Sequence, residues 1–362
     1  MRLSELDYRL PKELIAQKPA KPRDHSRLLI LNRASGRIKH RRFYNVIDYL
    51  NKGDILVLNN TRVIPCRLIV ERQSGGLADI LLCQNDQKDN SIWTALINFN
   101  RCLRENETFT LTNNKSIKIT LLKRLTDGWQ IRITPAIEIK DLQTLGKMPL
   151  PPYIKRPKTN DNLIKSDKDS YQTIYADRDG SIAAPTAGLH FTRSLMNRLI
   201  KKGVRIVYIT LHVGIGTFKP IKADNIEGHR MKQEYFEVSP ETARVLLEAY
   251  RDKKRVIAVG TTTCRVLETI SGQIRMLMIH PWLEKQRVMR ASLIRGWTDL
   301  FIHPPYQFNI VQSLVTNFHL PHGTPLALVA AFAGRDRVMG AYQEAVSKKY
   351  CFYSYGDAMM II

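Results

Sequence analysis

Val256–Glu268 reads VIAVGTTTCRVLE: an apolar run, a glycine, three consecutive threonines and then helix-forming residues. The apolar run ending at Gly260 predicts a buried strand, and the hydroxyls after it predict the start of a helix. Strand, glycine and helix in that order form the junction of an open α/β sheet. There, ligands bind at the carboxyl ends of strands and helix N-termini offer free N–H groups. Thr261 and Thr262 are suited to capping or to hydrogen-bonding a ligand, and Arg265 and Glu268 lie one helical turn apart. A plain N-cap accounts for the pattern equally well. The chain carries neither a GxGxxG fingerprint nor a Walker A sequence, so neither a standard dinucleotide fold nor a P-loop is supported.

Working outward, the same alternation runs through the second half of the chain. The pattern predicts a strand over Val204–His212, a helix over Pro240–Asp252, a strand over Arg255–Val259 and a helix over Thr263–Ile270. Upstream it predicts a short helix over Ser4–Leu14, broken near Pro11, a strand over Arg27–Leu31, a turn at Arg33–Gly36 and a helix over Asn45–Leu50. Asp54–Val70 reads as strand, turn and strand. From residue 66 to 150 the character changes to six short β-rich runs divided by Gly, Asn and Asp turns: Arg67–Val70, Ala78–Leu82, Ile92–Ile97, Thr108–Leu111, Ile117–Leu122 and Trp129–Ile133. Such spacing predicts a small barrel. Pro149–Pro152 and the polar Lys155–Ser170 read as a linker or exposed loop. The fold class is therefore α/β: a discontinuous α/β domain (1–65 and 151–362) with an inserted small β-barrel domain (66–150).

The chain has 362 residues, 44% hydrophobic and 25% charged, enough for a substantial core. Five cysteines without a CxxC pair argue against a disulfide scaffold or a zinc site and fit a reducing compartment. No secretory signal is legible at the start, and the longest apolar run, Pro325–Ala333, is too short to span a bilayer. A cytoplasmic protein without membrane association is expected. The net charge of +23 favours a polyanionic partner. It is uneven: residues 1–72 hold 16 Lys/Arg against 7 Asp/Glu, concentrated in KPAKPRDHSR (18–27) and RIKHRR (37–42). Arg37, Arg41 and Arg42 are the candidate nucleic-acid contacts, with Lys155–Lys168 beside them; a solvated basic face is the plainer explanation.

Residues 183–234 concentrate histidine and glycine: AAPTAGLHFT, YITLHVGIGTFKPI and EGHRMKQE carry His190, His212 and His229, with Glu234 five residues on. Glycine lets a backbone approach a ligand, and histidine titrates near neutrality, so a polar pocket is expected there. His229 and Glu234 are the leading acid/base candidates, with His212 and His190 assisting. No HExxH is present and no metal is expected. His319, before Pro321 on a loop opening an apolar helix, fits either a site or a helix start, and Asp357 lies in a YGD turn.

Taken in order, APTAGLHFT, LHVGIGTFKP, His229–Glu234 (HxMxxE), VGTTxxRxLE, TDLFIxPxYxF, TNFHLP and YSYGDAM resemble the S-adenosylmethionine:tRNA ribosyltransferase-isomerases of queuosine biosynthesis, the QueA family. GDxLVLNNTRVIPxRL and PLPPYIKR…YQTIYA extend the resemblance over nearly the whole chain, most thinly across 73–147 and 271–295. It implies an α/β domain with an inserted barrel. It implies transfer and isomerisation of the ribosyl moiety of S-adenosyl-L-methionine onto 7-aminomethyl-7-deazaguanine at the tRNA wobble position, giving epoxyqueuosine with release of adenine and methionine. S-adenosylmethionine would be a substrate rather than a retained cofactor, and tRNA the partner; apart from the resemblance, a monomer is expected. The sulfonium acidifies the C5′ protons, adenine departs more readily when protonated, and the aminomethyl nucleophile must be neutral; several proton-transfer groups in one pocket follow. The loops implied to hold the substrate contribute Thr186, Gly188, Gly214, Gly216, Thr217, Gly260, Thr261, Thr262, Arg265, Asn317, His319 and Asp357. Two positions depart from the family pattern: Lys232 replaces a frequent histidine, and Pro305 replaces a usual glycine. A tRNA-binding relative without this catalysis, and an RNA methyltransferase, are the competing readings; the missing Rossmann glycines count against the second.

Overall fold

The computed structural model describes residues 1–86, 88–99, 102–156, 161–214, 216, 221, 223–279 and 293–362. Its centre is a nine-stranded mixed sheet in the order β15-β13-β12-β3-β14-β16-β17-β1-β2. Three of these strands precede the barrel: β1 (Arg27–Leu31), β2 (Ile38–Arg42) and β3 (Ile55–Asn59). Six follow it: β12 (Arg205–Leu211), β13 (Glu234–Val238), β14 (Val256–Val259), β15 (Ile294–Thr298), β16 (Ser313–Asn317) and β17 (Ala358–Ile361). β12, β3, β14 and β16 run parallel in the middle, so their carboxyl ends open on one edge.

Burial on both faces explains the unbroken apolar sequences of these strands. On β3, Ile55 and Val57 face one core with the helices Pro240–Arg251, Thr261–Thr269, Thr324–Ala333 and Arg335–Ser347. Leu56 and Leu58 face the opposite core, with Phe43 and Val46 and with Leu195 and Leu199 of the helix Arg193–Lys201. The period of two in side-chain direction divides one sequence between two hydrophobic layers.

β4 (Thr61–Val63) pairs with β11 (Arg178–Ser181) in a small separate ribbon. Between them, six antiparallel strands close the barrel in the order β10-β7-β6-β5-β8-β9. They are β5 (Arg67–Arg72), β6 (Leu77–Asn85), β7 (Ile92–Asn98), β8 (Thr108–Leu111), β9 (Asn114–Leu125) and β10 (Gly128–Thr134). Alternate residues point inward, among them Leu68, Ile80, Trp93, Phe109, Ile119 and Ile131. Closure satisfies the backbone of strands too short to be stable as an open sheet.

Several local expectations change. Ser4–Leu14 forms two short 3₁₀ turns, Leu3–Leu6 and Lys12–Leu14, because Pro11 interrupts the helical backbone. The helix over Asn45–Leu50 is a 3₁₀ segment, Phe43–Tyr49. The helix after Gly260 begins at Thr261 rather than Thr263. The supposed exposed loop contains a helix, Asp161–Ser170, anchored by the Arg156 guanidinium on both carboxylate oxygens of Asp167 at 2.8 and 2.9 Å. Among the described residues no helix is long and apolar enough to cross a membrane.

The barrel's two connections to the sheet meet at Arg67 and Lys147, which exchange backbone hydrogen bonds of 3.1 and 2.8 Å. Gly146 permits this crossing, since a Cβ there would lie 1.6 Å from the Pro65 carbonyl oxygen. Gly146→Ala is expected to destabilise the protein by about 1–3 kcal/mol through overpacking, measured as a lower urea midpoint. A midpoint equal to wild type would show that the junction yields freely.

Candidate active site

A cavity of about 310 Å³ opens at the carboxyl ends of β14 and β16. Parallel strands that stop together create such a crevice. One wall is Ala183–Ala187, a second is Gly260–Thr262, and a third runs from Thr316 to Pro321. Gly260 adopts φ +91° and its N–H bonds the Val315 carbonyl at 2.8 Å, turning the chain from strand into the helix Thr261–Thr269. A smaller cavity shares Thr261, Thr262 and Pro325 with the first and is bounded further by Met231, Arg265 and Phe301. The two spaces thus lie on either side of one helix N-terminus.

The structure places Thr186, Gly260, Thr261, Thr262, Asn317 and His319 on the larger cavity. The Thr262 hydroxyl accepts from the Asn59 amide at 3.4 Å, while the other face of Asn59 accepts the N–H groups of Leu211 and Thr61. His319 bonds Thr316 Oγ1 through Nε2 at 2.7 Å, and burial pulls its pKa down to about 3. It is a neutral imidazole at pH 7.

Arg265 lines the smaller cavity and makes a buried ion pair with Glu234. Its Nε donates to the Leu300 carbonyl at 2.9 Å, and the remaining Glu234 oxygen accepts the Gly214 N–H at 2.8 Å. Glu234 therefore ties three segments together as well as carrying a carboxylate. His229 packs edge-on against Phe301, with ring centres 5.1 Å apart, and burial lowers its pKa. Gly216 adjoins Lys232: a Cβ there would lie 3.2 Å from the lysine Cβ. Thr217 lies outside the described residues.

Four expected site residues are placed elsewhere. His190 is buried off the cavity wall, stacked on Phe43 at 4.9 Å, with Nδ1 2.7 Å from Ser26 Oγ and Nε2 3.2 Å from Asn317 Nδ2. Burial, assisted by Arg23, pulls its pKa down to about 3, and neither nitrogen remains for a substrate. His212 bonds Thr61 Oγ1 at 2.8 Å and packs over Gly180, where a Cβ would approach its ring to 2.9 Å; burial lowers its pKa, against Glu237 and Asp179. It lines neither cavity. Gly188 makes room for a tyrosine, not a ligand: a Cβ there would lie 1.9 Å from Tyr175 Oη. Asp357 accepts the backbone N–H groups of Arg27 and Cys351 at 2.7 Å each, and burial raises its pKa. It pins the start of β1 to the 351–357 turn.

Other wall residues escaped notice as site residues. Tyr153, Tyr171, Phe318, Tyr353 and Ser354 line the larger cavity, and Tyr153 Oη meets Ser354 Oγ at 2.7 Å. The motifs PLPPYIKR, YQTIYA and YSYGDAM contain all the tyrosines among them, but isolated aromatics read as core. Among the described residues no group of three or more His, Cys, Asp or Glu is placed to hold a metal ion. Arg37, Arg41 and Arg42 are exposed on or beside β2, the edge strand of the sheet.

Similarity to known proteins agrees with this arrangement. The family described as "Queuosine biosynthesis protein" matches residues 3–361. Relatives named S-adenosylmethionine:tRNA ribosyltransferase-isomerase include one from Sulfurihydrogenibium sp. (strain YO3AOP1), 45% identical, and one from Thermotoga maritima, 44% identical, each aligned over 100% of both chains. The crystal structure of an S-adenosylmethionine tRNA ribosyltransferase from Thermotoga maritima matches with a TM-score of 0.54 and 38% identity, covering 99% of this chain and 100% of that one. With a sheet, an inserted barrel and a strand-end cavity in place, and with relatives aligned from end to end, the chain belongs to the S-adenosylmethionine:tRNA ribosyltransferase-isomerase family of queuosine biosynthesis.

Proposed function

We propose that this enzyme transfers and isomerises the ribosyl moiety of S-adenosylmethionine onto 7-aminomethyl-7-deazaguanine at the tRNA wobble position, forming epoxyqueuosine-tRNA and releasing adenine and methionine. The observation that carries the reading is the cavity of about 310 Å³ at the ends of β14 and β16. Its aromatic walls suit both a purine and a sulfonium cation. The open first turn of the helix Thr261–Thr269 suits the methionine carboxylate. The chain would act in the cytoplasm as a monomer, and the absence of a disulfide among the described residues is consistent with that compartment.

In this reading His229, which lines neither cavity but packs against Phe301 of the smaller one, moves protons there, because its lowered pKa leaves an uncharged imidazole able to act as a base at pH 7. Glu234 assists from its pair with Arg265, holding the Gly214 backbone against the reacting groups. Lys232 forms a 2.5 Å ion pair with Asp127 in the β9–β10 turn of the barrel, so the family's frequent histidine is replaced here by a residue engaged in a contact between sheet and barrel. That contact favours, as a second reading, a tRNA-binding relative with weakened turnover.

Adenine release from S-adenosylmethionine with substrate tRNA separates the readings. His229→Ala is expected to lower kcat/KM by about tenfold or more. A loss below about threefold corresponds to less than roughly 1 kcal/mol of barrier and removes His229 from the chemistry. Tight tRNA binding without any adenine release by wild type would support the second reading.

The pH profile gives an independent check. His229 must be neutral to accept a proton, and burial holds its pKa below the ordinary 6.5. The acid limb of kcat/KM is therefore expected below pH 6.5, with activity present above it and lost as pH falls through the lowered pKa. A limb above pH 6.5 would contradict the assignment.

We further propose β2 as part of the tRNA face. Reversing the charges of Arg37, Arg41 and Arg42 should raise the KM for tRNA and reduce the slope of log affinity against log salt by up to about three. Unchanged KM at moderate salt would exclude this surface.

A further inference from the structure

Asn317 ends β16 on the wall of the larger cavity, with 2% of its surface exposed. Its amide nitrogen donates to the Tyr353 carbonyl at 3.0 Å. A carbonyl there fixes which end of the amide is nitrogen, since Oδ1 in that place would set its lone pairs against those of the Tyr353 oxygen. The second amide hydrogen faces His190 Nε2 at 3.2 Å. His190 stays uncharged, its pKa held near 3, so with Nε2 accepting, Nδ1 carries the hydrogen and donates to Ser26 Oγ at 2.7 Å. Stacking on Phe43 holds the ring in that orientation. Both amide hydrogens are consumed and the amide cannot turn over, while Oδ1 is buried with no partner among the described residues. A buried acceptor left alone calls for an explanation.

The walls around it narrow the chemistry. Among the described residues, no Asp, Glu, Lys or Arg lines the larger cavity, and Tyr153, Tyr171, Phe318 and Tyr353 contribute rings. A flat, neutral heterocycle with one hydrogen-bond donor matches this surface better than an ammonium group, which would find no counter-charge. We propose that Asn317 Oδ1 accepts a hydrogen bond from the exocyclic 6-amino group of a purine bound here, the adenine of the S-adenosylmethionine donor, and that His190, held by Ser26, is the positioning residue for that amide. The assignment rests on the ribosyl-transfer reading above and adds a source of donor specificity. A 6-oxo purine would present a lone pair to a lone pair, and the locked amide has no hydrogen to offer it.

The test is equilibrium binding of S-adenosylmethionine and its 6-oxo analogue, S-inosylmethionine, to the full chain with substrate tRNA present, alongside base release. Wild type should prefer the 6-amino donor by at least about tenfold, equivalent to about 1.4 kcal/mol. Asn317→Ala should bring the two within about threefold of each other. His190→Phe retains a ring against Phe43 but removes the acceptor, and should weaken the preference; His190→Gln, which still accepts, should retain most of it. Equal binding by wild type, or a preference that survives Asn317→Ala, overturns the assignment; the wild-type comparison alone decides if variants misfold. Full preference without base release refutes ribosyl transfer but leaves the acceptor in place. Equal binding with base release does the reverse, and failure of both donors to bind refutes both.

Discussion

The buried ion pair between Glu234 and Arg265 is the contact on which the site geometry depends. Burying a guanidinium and a carboxylate is unfavourable unless nearly every donor and lone pair is used. Here they are: Arg265 also donates to the carbonyls of Leu300 and Thr298, and Glu234 also accepts from Gly214. The helix after Gly260, the first residue of β13, the strand end at 298–300 and the loop at 214 therefore hold one another in place. Losing either member would leave the other charge buried and unpaired, at a cost of about 3–5 kcal/mol. Glu268 performs a related task one turn along the same helix, accepting the backbone N–H groups of Asn309, Ile310 and Val311 at 2.8–3.0 Å. One helix carries both anchors, the Arg265 guanidinium and the Glu268 carboxylate, and its N-terminus divides the two cavities.

What the amino acids disclosed, and what they concealed, follows from burial. β3 and β14 are covered on both faces and are written as plain apolar runs, so they were legible. The six barrel strands were legible because inward and outward residues alternate between turns. β2 was hidden because an edge strand facing solvent reads IKHRR, a charge cluster. β17, written AMMI, is too short to show a period, and its position between β1 and β16 is purely tertiary. At the site, Gly260–Thr262 could be anticipated because strand ends in a parallel sheet are where ligands bind, and Asn317 only through the resemblance of the TNFHLP motif. Gly188, Asp357 and His190 could not be sorted from them, because a glycine beside Tyr175, a carboxylate capping two backbone amides and a neutral histidine in a hydrogen-bonded chain use the same residue types as a binding site.

The Lys232–Asp127 pair shows the barrel as more than an appended module. The β9–β10 turn reaches the same segment, 229–234, that carries the proposed proton-transfer groups. Both partners are more than a third exposed, so the pair contributes little to stability, on the order of 0–1 kcal/mol. Its significance is positional. A change of barrel orientation on binding a large polyanion would be felt at residue 232, one residue from Met231 on the smaller cavity and two from Glu234.

β17 also sets an order for folding. Leu28 pairs with Ala358, nearly the full length of the chain away, and β17 separates β1 from β16 in the sheet. During synthesis the barrel strands emerge together and can close on one another through local contacts. β1 and β16 must wait for β17, exposing apolar edges meanwhile. The cavity at the ends of β14 and β16 is therefore among the last features to assemble, and a nascent chain halted before Ala358 would present an intact barrel on an unfinished, aggregation-prone sheet.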